Sequence, residues 1–298
     1  MTAPDLQNPA IRRLIVTGHP NHELAILGLV QRLRPRFLFL TDGGGAERVA
    51  ETRSALDSLG LLAQARFLSW PETRLYRALL DHDLLLFDDL VAAVRSEIED
   101  CAAQQVFCES VEFYNPLHDV TLPIAMAAAR GLHGVEIVEF PLIAQEPAAG
   151  ERYRVQRFPA GNGGQANRSS APAAAGAPIA PAKASEAVET LERGRISSAG
   201  RRTVSLRLTP AELAVKLAAR TDHYSCLRRQ LGAVLDDIGE QHAAVEEFRA
   251  APSAIPAPGA DYVLRYEWRG RSLQERREVE RVITYREHFL PLVAALAG

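Results

Sequence analysis

The chain has 298 residues, of which 47% are apolar and 24% charged, with a formal net charge of −3. That length supports one large domain or two modest ones around a full core, and the nearly balanced charge excludes the basic face of a nucleic-acid binder. Three cysteines (Cys101, Cys108, Cys226) cannot all pair and fit no zinc-ribbon spacing. With no signal-like leader and no apolar run near the ~20 residues of a membrane span, the expectation is a cytoplasmic protein with reduced thiols.

Residues 1–10 read as a polar leader. Arg13–Thr17 is a short apolar, β-branched run, which predicts a buried strand. It ends at Gly18, and His19, His22 and Glu23 follow within five residues. From Glu23 onward Leu24, Leu27, Val30 and Leu33 fall about a turn apart, which predicts a helix stopped by Pro35. Arg36–Leu40 is a second strand, ended by Thr41-Asp42-Gly43-Gly44-Gly45. A helix is expected over Ala46–Leu59 with Gly60 as its stop, then a strand over Ala65–Trp70, an ambiguous Pro71–Asp83 and a helix over Leu84–Ala103. Gln105–Cys108 is the fourth strand. The polar segment Glu109–Asn115 and Pro116-Leu117-His118-Asp119 come next, then a helix over Thr121–Arg130 and a fifth strand over Val135–Leu142. Such alternation argues for parallel βαβ crossovers, a Rossmann-like layered α/β/α arrangement with a mostly parallel sheet.

Composition changes after residue 158. Ala, Gly, Pro and Ser dominate Pro159–Ser185, too little apolar surface to offset chain entropy. Residues 159–200 are expected to be a flexible insertion, a surface loop or a lid. Thr203–Leu208 alternates as a strand. Thr209-Pro210-Ala211-Glu212 is a helix start with cap, Pro and reciprocal Glu, and that helix is expected to reach Asp236. A further helix is read over Gly239–Arg249, a strand or extended arm over Asp261–Trp268, and a long final helix over Ser272–Leu296. The division is thus residues 11–158 as the site-bearing α/β part, 159–200 as the insertion, and 201–298 as a C-terminal, largely helical portion completing the same fold.

The residues best suited to chemistry are His19, His22 and His118. Ligands bind open α/β sheets beyond the carboxyl ends of their strands, and all three histidines follow a predicted strand there. Three protein ligands with an open position are the plan of a catalytic zinc site. Two histidines at a strand–helix junction also serve as caps or packing residues, and both readings stand on spacing alone. His82, His133, His223, His242 and His288 have no ligand-like company.

Gly18-His19-Pro20-Asn21-His22-Glu23 resembles the Ala-His-Pro-Asp-Asp-Glu motif of the LmbE/PIG-L superfamily, zinc-dependent N-acetylglucosaminyl deacetylases and related amidases. Thr41-Asp42-Gly43, with Arg48, Glu51, Ala55 and Leu59-Gly60, is similar to the family's second motif, and Asn115-Pro116-Leu117-His118 to its His-Pro-Asp-His motif. The resemblance implies an LmbE/PIG-L-like fold and a divalent metal, zinc or another, on His19, His22 and His118. It implies Arg48 as a substrate contact, and a small-molecule substrate such as an amino sugar or glycoconjugate. Two departures stand out. The family's base and metal-binding aspartates are Asn21 and His22 here, and the histidine supporting the oxyanion is Asn115. Asn21 accepts no proton at neutral pH, whereas the Asn115 amide can still donate to an oxyanion. Glu23, Asp119 or Glu112 can replace the base, or orient a histidine, or cap a helix. Asp42 is a turn residue or a partner of His19, and Tyr114 packs or stacks on a sugar. The leading expectation is a metal-dependent deacetylase or amidase. The alternatives are a divergent non-catalytic member that binds a partner, and a metal enzyme with a non-amide substrate.

Overall fold

The computed structural model describes residues 3–145, 153–155, 191–196, 202–226, 228–229, 243–258 and 264–298. Ten strands are described in chain order: β1 Arg13–Thr17, β2 Arg36–Thr41, β3 Ala65–Trp70, β4 Gln105–Glu109, β5 Glu136–Phe140, β6 Ile143–Gln145, β7 Tyr153–Val155, β8 Leu191–Ile196, β9 Arg202–Arg207 and β10 Val245–Ala250. Eight of them form one sheet in the order β3-β2-β1-β4-β5-β10-β9-β8, and β6 pairs with β7 separately. The half from β3 to β5 is parallel. The half from β10 to β8 is antiparallel.

The helices are α1 Leu27–Leu33, α2 Ala46–Ser58, α3 Glu72–Asp81, α4 Leu84–Asp100, α5 Pro116–Asp119, α6 Thr121–Ala129, α7 Pro210–Asp222, α8 Arg265–Glu275 and α9 Leu290–Ala297. Strand residues alternate between two cores, because successive side chains leave a strand on opposite faces. Leu14, Val16, Leu38, Leu40, Val106 and Cys108 join one core with α3, α4, α6 and α9. Ile15, Phe37, Phe39, Phe107, Val138 and Phe140 join the other with α1, α2 and α7. The layered α/β/α reading therefore holds, with β1 beside β4, and this pairing brings the loop after β4 to the loop after β1.

Several boundaries differ from the sequence reading. His22–Ile26 is a 3-10 turn, and the α-helix begins only at Leu27. The reason is Glu246 on β10: its carboxylate accepts from the Gly28 and Leu29 amides at 2.7 and 2.8 Å, capping the positive end of α1. Lys216 of α7 pairs with the same carboxylate at 2.8 Å, and both side chains are buried. This also explains why Val245–Ala250 is a strand and not part of a helix over Gly239–Arg249. The strand lies inside the sheet between β5 and β9, and five of its six residues are buried, so no alternation is visible. The final helix is two pieces. Arg277 adopts a left-handed φ of 60°, and a new start follows at Thr284, whose hydroxyl accepts from the Glu287 amide, with Pro291 in the first turn of α9. Arg265–Trp268 is the first turn of α8, not an extended arm. α7 ends at Asp222. Residues 191–196, inside the expected insertion, form β8 and pair with β9. The C-terminal portion thus supplies two strands, β9 and β10, as well as helices. Residues 159–190 and 197–200, and the end of the expected helix from 230 to 236, lie outside the described residues.

Candidate metal centre

The site is built at the carboxyl ends of β1, β2 and β4. Gly18 closes β1, and no larger residue fits: a Cβ there would lie 2.8 Å from the Leu117 carbonyl oxygen and 3.0 Å from Thr121 Oγ1. Its amide donates to both oxygens of Glu109, the last residue of β4, at 3.0 and 3.1 Å. Its carbonyl accepts from the Thr41 amide and hydroxyl at the end of β2. Three strand ends are thereby clamped together. The chain then turns through Asn21, whose φ of 82° is left-handed, a conformation asparagine tolerates. That turn brings His22 back toward His19. On the facing loop, Asn115 caps α5 through Oδ1 to the Leu117 amide at 2.9 Å, and the short helix delivers His118.

His19, His22 and His118 converge. One ring nitrogen from each lies within 4.8 Å of the others. The ring centroids are 5.0, 5.0 and 4.4 Å apart, and all three side chains are buried. Burial, then the nearby rings, push the His22 and His118 pKa values well below the ordinary imidazole range. Both ring nitrogens of His19 and Nδ1 of His118 have no hydrogen-bond partner. Buried nitrogens left without partners are costly, and three buried imidazoles whose ring nitrogens converge are the donor set of a borderline cation such as zinc. The residues present therefore fit a divalent metal.

Two carboxylates that the sequence reading did not single out lie beside these rings. Glu109 Oε1 is 2.5 Å from His22 Nδ1, which leaves Nε2 of His22 for a cation. Burial, opposed by hydrogen bonds that include the Gly18 amide, pushes the Glu109 pKa up to about 7. Glu72, opening α3, places Oε1 3.3 Å from His19 Nε2 and accepts the Tyr76 hydroxyl at 2.7 Å. Burial acts to raise its pKa, but His19, Tyr76 and Arg48 outweigh this and hold it at about 2. Such carboxylate–histidine pairs fix ring orientation and raise ligand basicity. Glu109 had a sequence signal, an acid closing an apolar parallel strand. Glu72 had none, sitting in the segment that reads ambiguously.

The other predicted site residues are placed as follows. The Asn21 side chain turns to α2: Oδ1 accepts the Thr52 hydroxyl at 2.8 Å and Nδ2 donates to Glu51 Oε2 at 3.4 Å. Glu23 accepts the Tyr224 hydroxyl at 2.8 Å, is fully buried, and has its pKa raised by that burial. Asp119 accepts from the Glu112 and Phe113 amides at 2.8 and 3.1 Å, and burial pushes its pKa up to about 8 despite those bonds. Glu112 accepts from the Leu142 amide. Asp42 accepts from the Gly44 and Glu72 amides, so it positions Glu72, and Glu72 is the carboxylate that meets His19. Arg48 donates to the carbonyls of Gly43 and Pro20 at 3.1 and 3.0 Å, tying two site loops together. Asn115 also accepts the Tyr76 hydroxyl at 3.3 Å. The Tyr114 ring lies 6.1 Å from that of His118.

Neither family models nor curated proteins match this sequence. Solved structures do match. The A40926 pseudoaglycone deacetylase Dbv21 aligns with a TM-score of 0.50 at 16% identity, covering 83% of this chain and 98% of that one. A deacetylase of the teicoplanin biosynthesis pathway, solved as a complex with bog, aligns with a TM-score of 0.50 at 15% identity, covering 82% and 100%. The chain shares the α/β fold of these two structures. No helix among the described residues is long and apolar enough to cross a membrane.

Proposed function

We propose that this protein is a metal-dependent hydrolase that removes an acyl group from an N-acyl amino sugar or a related small amide. The observation that carries the reading is the convergence of His19, His22 and His118, buried and within 4.8 Å at their ring nitrogens. The fold shared with deacetylases supports the reaction class. Zinc bound by these residues supplies carbonyl polarisation and a nucleophile at neutral pH. Glu109 fixes His22 through Nδ1, and the Glu72 carboxylate lies 3.3 Å from Nε2 of His19. Among the carboxylates around the rings, Glu23, Glu109 and Asp119 are fully buried, whereas the Glu72 side chain keeps 17% of its exposure. Glu72, the least buried of them, is the carboxylate proposed to take the proton that a standard aspartate would take. Asn115 keeps Nδ2 for the developing oxyanion, because Oδ1 is already used by the Leu117 amide.

The test is metal analysis of the purified chain together with acetate release from N-acetylglucosamine derivatives. One equivalent of zinc is expected, lost in both His19→Ala and His118→Ala, with hydrolysis lost in parallel. Zinc retained in both variants refutes the assignment. One observation favours a second reading, a metal enzyme with a non-amide substrate: Asn21 is bonded to Thr52 and Glu51 and does not stand in for a base. Stoichiometric zinc on the three histidines without acetate release from any N-acyl amino sugar selects that reading.

A further inference from the structure

A chain of ring and guanidinium contacts links the candidate metal centre to an exposed tryptophan. Tyr114 faces His118 at 6.1 Å between ring centroids. The Arg265 guanidinium lies 5.9 Å from the Tyr114 ring and 5.3 Å from the Trp268 ring. Trp268 ends these contacts at the surface with 56% of its area exposed. They are anchored to the site loop, because the Arg265 amide donates to the Phe113 carbonyl at 3.0 Å, and Phe113 is held in a left-handed φ of 58°. A single exposed tryptophan needs no explanation. One braced by a guanidinium, itself against an aromatic ring that faces a candidate metal ligand, is a pre-oriented flat surface at a fixed distance from the reacting centre. Aromatic and cation–π contacts of this kind favour stacking in defined geometry.

We infer that Trp268, braced by Arg265 and Tyr114, is a stacking platform for a second ring of the substrate, a glycosyl or aryl group carried by the amino sugar whose N-acyl group sits at the histidines. This rests on the hydrolytic reading above and extends it from a small amide to a ring-bearing glycoside. The platform spends no polar contact on the distant ring, so it discriminates by the presence of a flat face and not by hydroxyl pattern.

The experiment is isothermal titration of phenyl and methyl N-acetyl-β-D-glucosaminide into the zinc-loaded full chain, native and Trp268→Ala, with acetate release followed in parallel. Trp268 is exposed, so the variant folds and keeps its zinc. The phenyl glycoside binds the native chain more tightly than the methyl one, and Trp268→Ala weakens the phenyl glycoside about 3- to 10-fold without changing the methyl one. In a Trp70→Phe background Trp268 is the remaining tryptophan, and its fluorescence responds to the phenyl glycoside only. Equal affinities for the two glycosides, equal losses in the variant, or no binding of the phenyl glycoside overturns the platform. A phenyl preference that depends on Trp268, without acetate release, upholds the platform and overturns the hydrolytic reading instead.

Discussion

Restoring the aspartate that deacetylase motifs carry, by Asn21→Asp, is expected to damage this protein and not to activate it. In the native chain Asn21 Nδ2 donates to Glu51 Oε2 at 3.4 Å, and Oδ1 accepts from Thr52. Glu51 also accepts the Ser225 hydroxyl at 2.8 Å and the Cys226 amide at 2.6 Å, so it cannot easily swing away. An aspartate puts two carboxylates at that separation. At an effective dielectric of about 20 the repulsion is about 5 kcal/mol, an upper limit because the pair relieves it by taking up a proton. Together with the lost donor, the expected destabilisation at pH 7 is roughly 2–4 kcal/mol. The sign with pH follows from linkage. A carboxyl whose proton affinity is raised on folding costs nothing below its unfolded pKa and its full amount above the folded one. The variant should therefore recover toward native stability as pH falls from 7 to 5. Urea denaturation of both proteins at the two pH values measures this. Asn21→Asp/Glu51→Gln is the internal control: the glutamine oxygen keeps the Ser225 and Cys226 contacts while its nitrogen donates to the aspartate, so stability at pH 7 returns. A single variant as stable as the native chain at pH 7 refutes the reasoning.

Further outcomes follow from the same contacts. Glu109→Gln keeps the shape of the pair with His22 but removes its charge, and chelator competition should show zinc affinity lowered about 10- to 100-fold. Gly18→Ala forces a methyl group against the Leu117 carbonyl and Thr121, so thermal unfolding should report a loss of about 1–3 kcal/mol together with weaker zinc binding. Lys216→Met strands the buried Glu246 carboxylate beneath α1 and should cost about 3 kcal/mol in denaturant unfolding. Adding Glu246→Gln should recover part of that, because the two residues act as a pair.

The parallel half of the sheet was legible because each strand is a compact apolar run followed by a helix with its own stop. The three histidines were legible because they sit just past such runs. What could not be read depends on partners far away in the chain. Glu246 looks like one polar residue of an amphipathic helix, yet it is a buried cap for α1, 218 residues distant. Periodicity carried the final helix through Arg277, although Thr284 with Glu287 three residues on, and Pro291, held the signal of a new start. Asn21 was visible as a departure, but not that Glu51 and Thr52 have absorbed its amide. Glu72 was missed because its site role depends on Asp42, which receives its amide from across the β3–α3 junction.

X-ray absorption at the zinc edge of the metal-loaded chain tests the central claim most directly. Three imidazole nitrogens on one zinc, at about 2.0–2.1 Å, with one imidazole lost in His118→Ala, are the predicted result. Sulfur scattering from a cysteine, or an imidazole count unchanged by His118→Ala, would contradict a metal centre shared by the two loops.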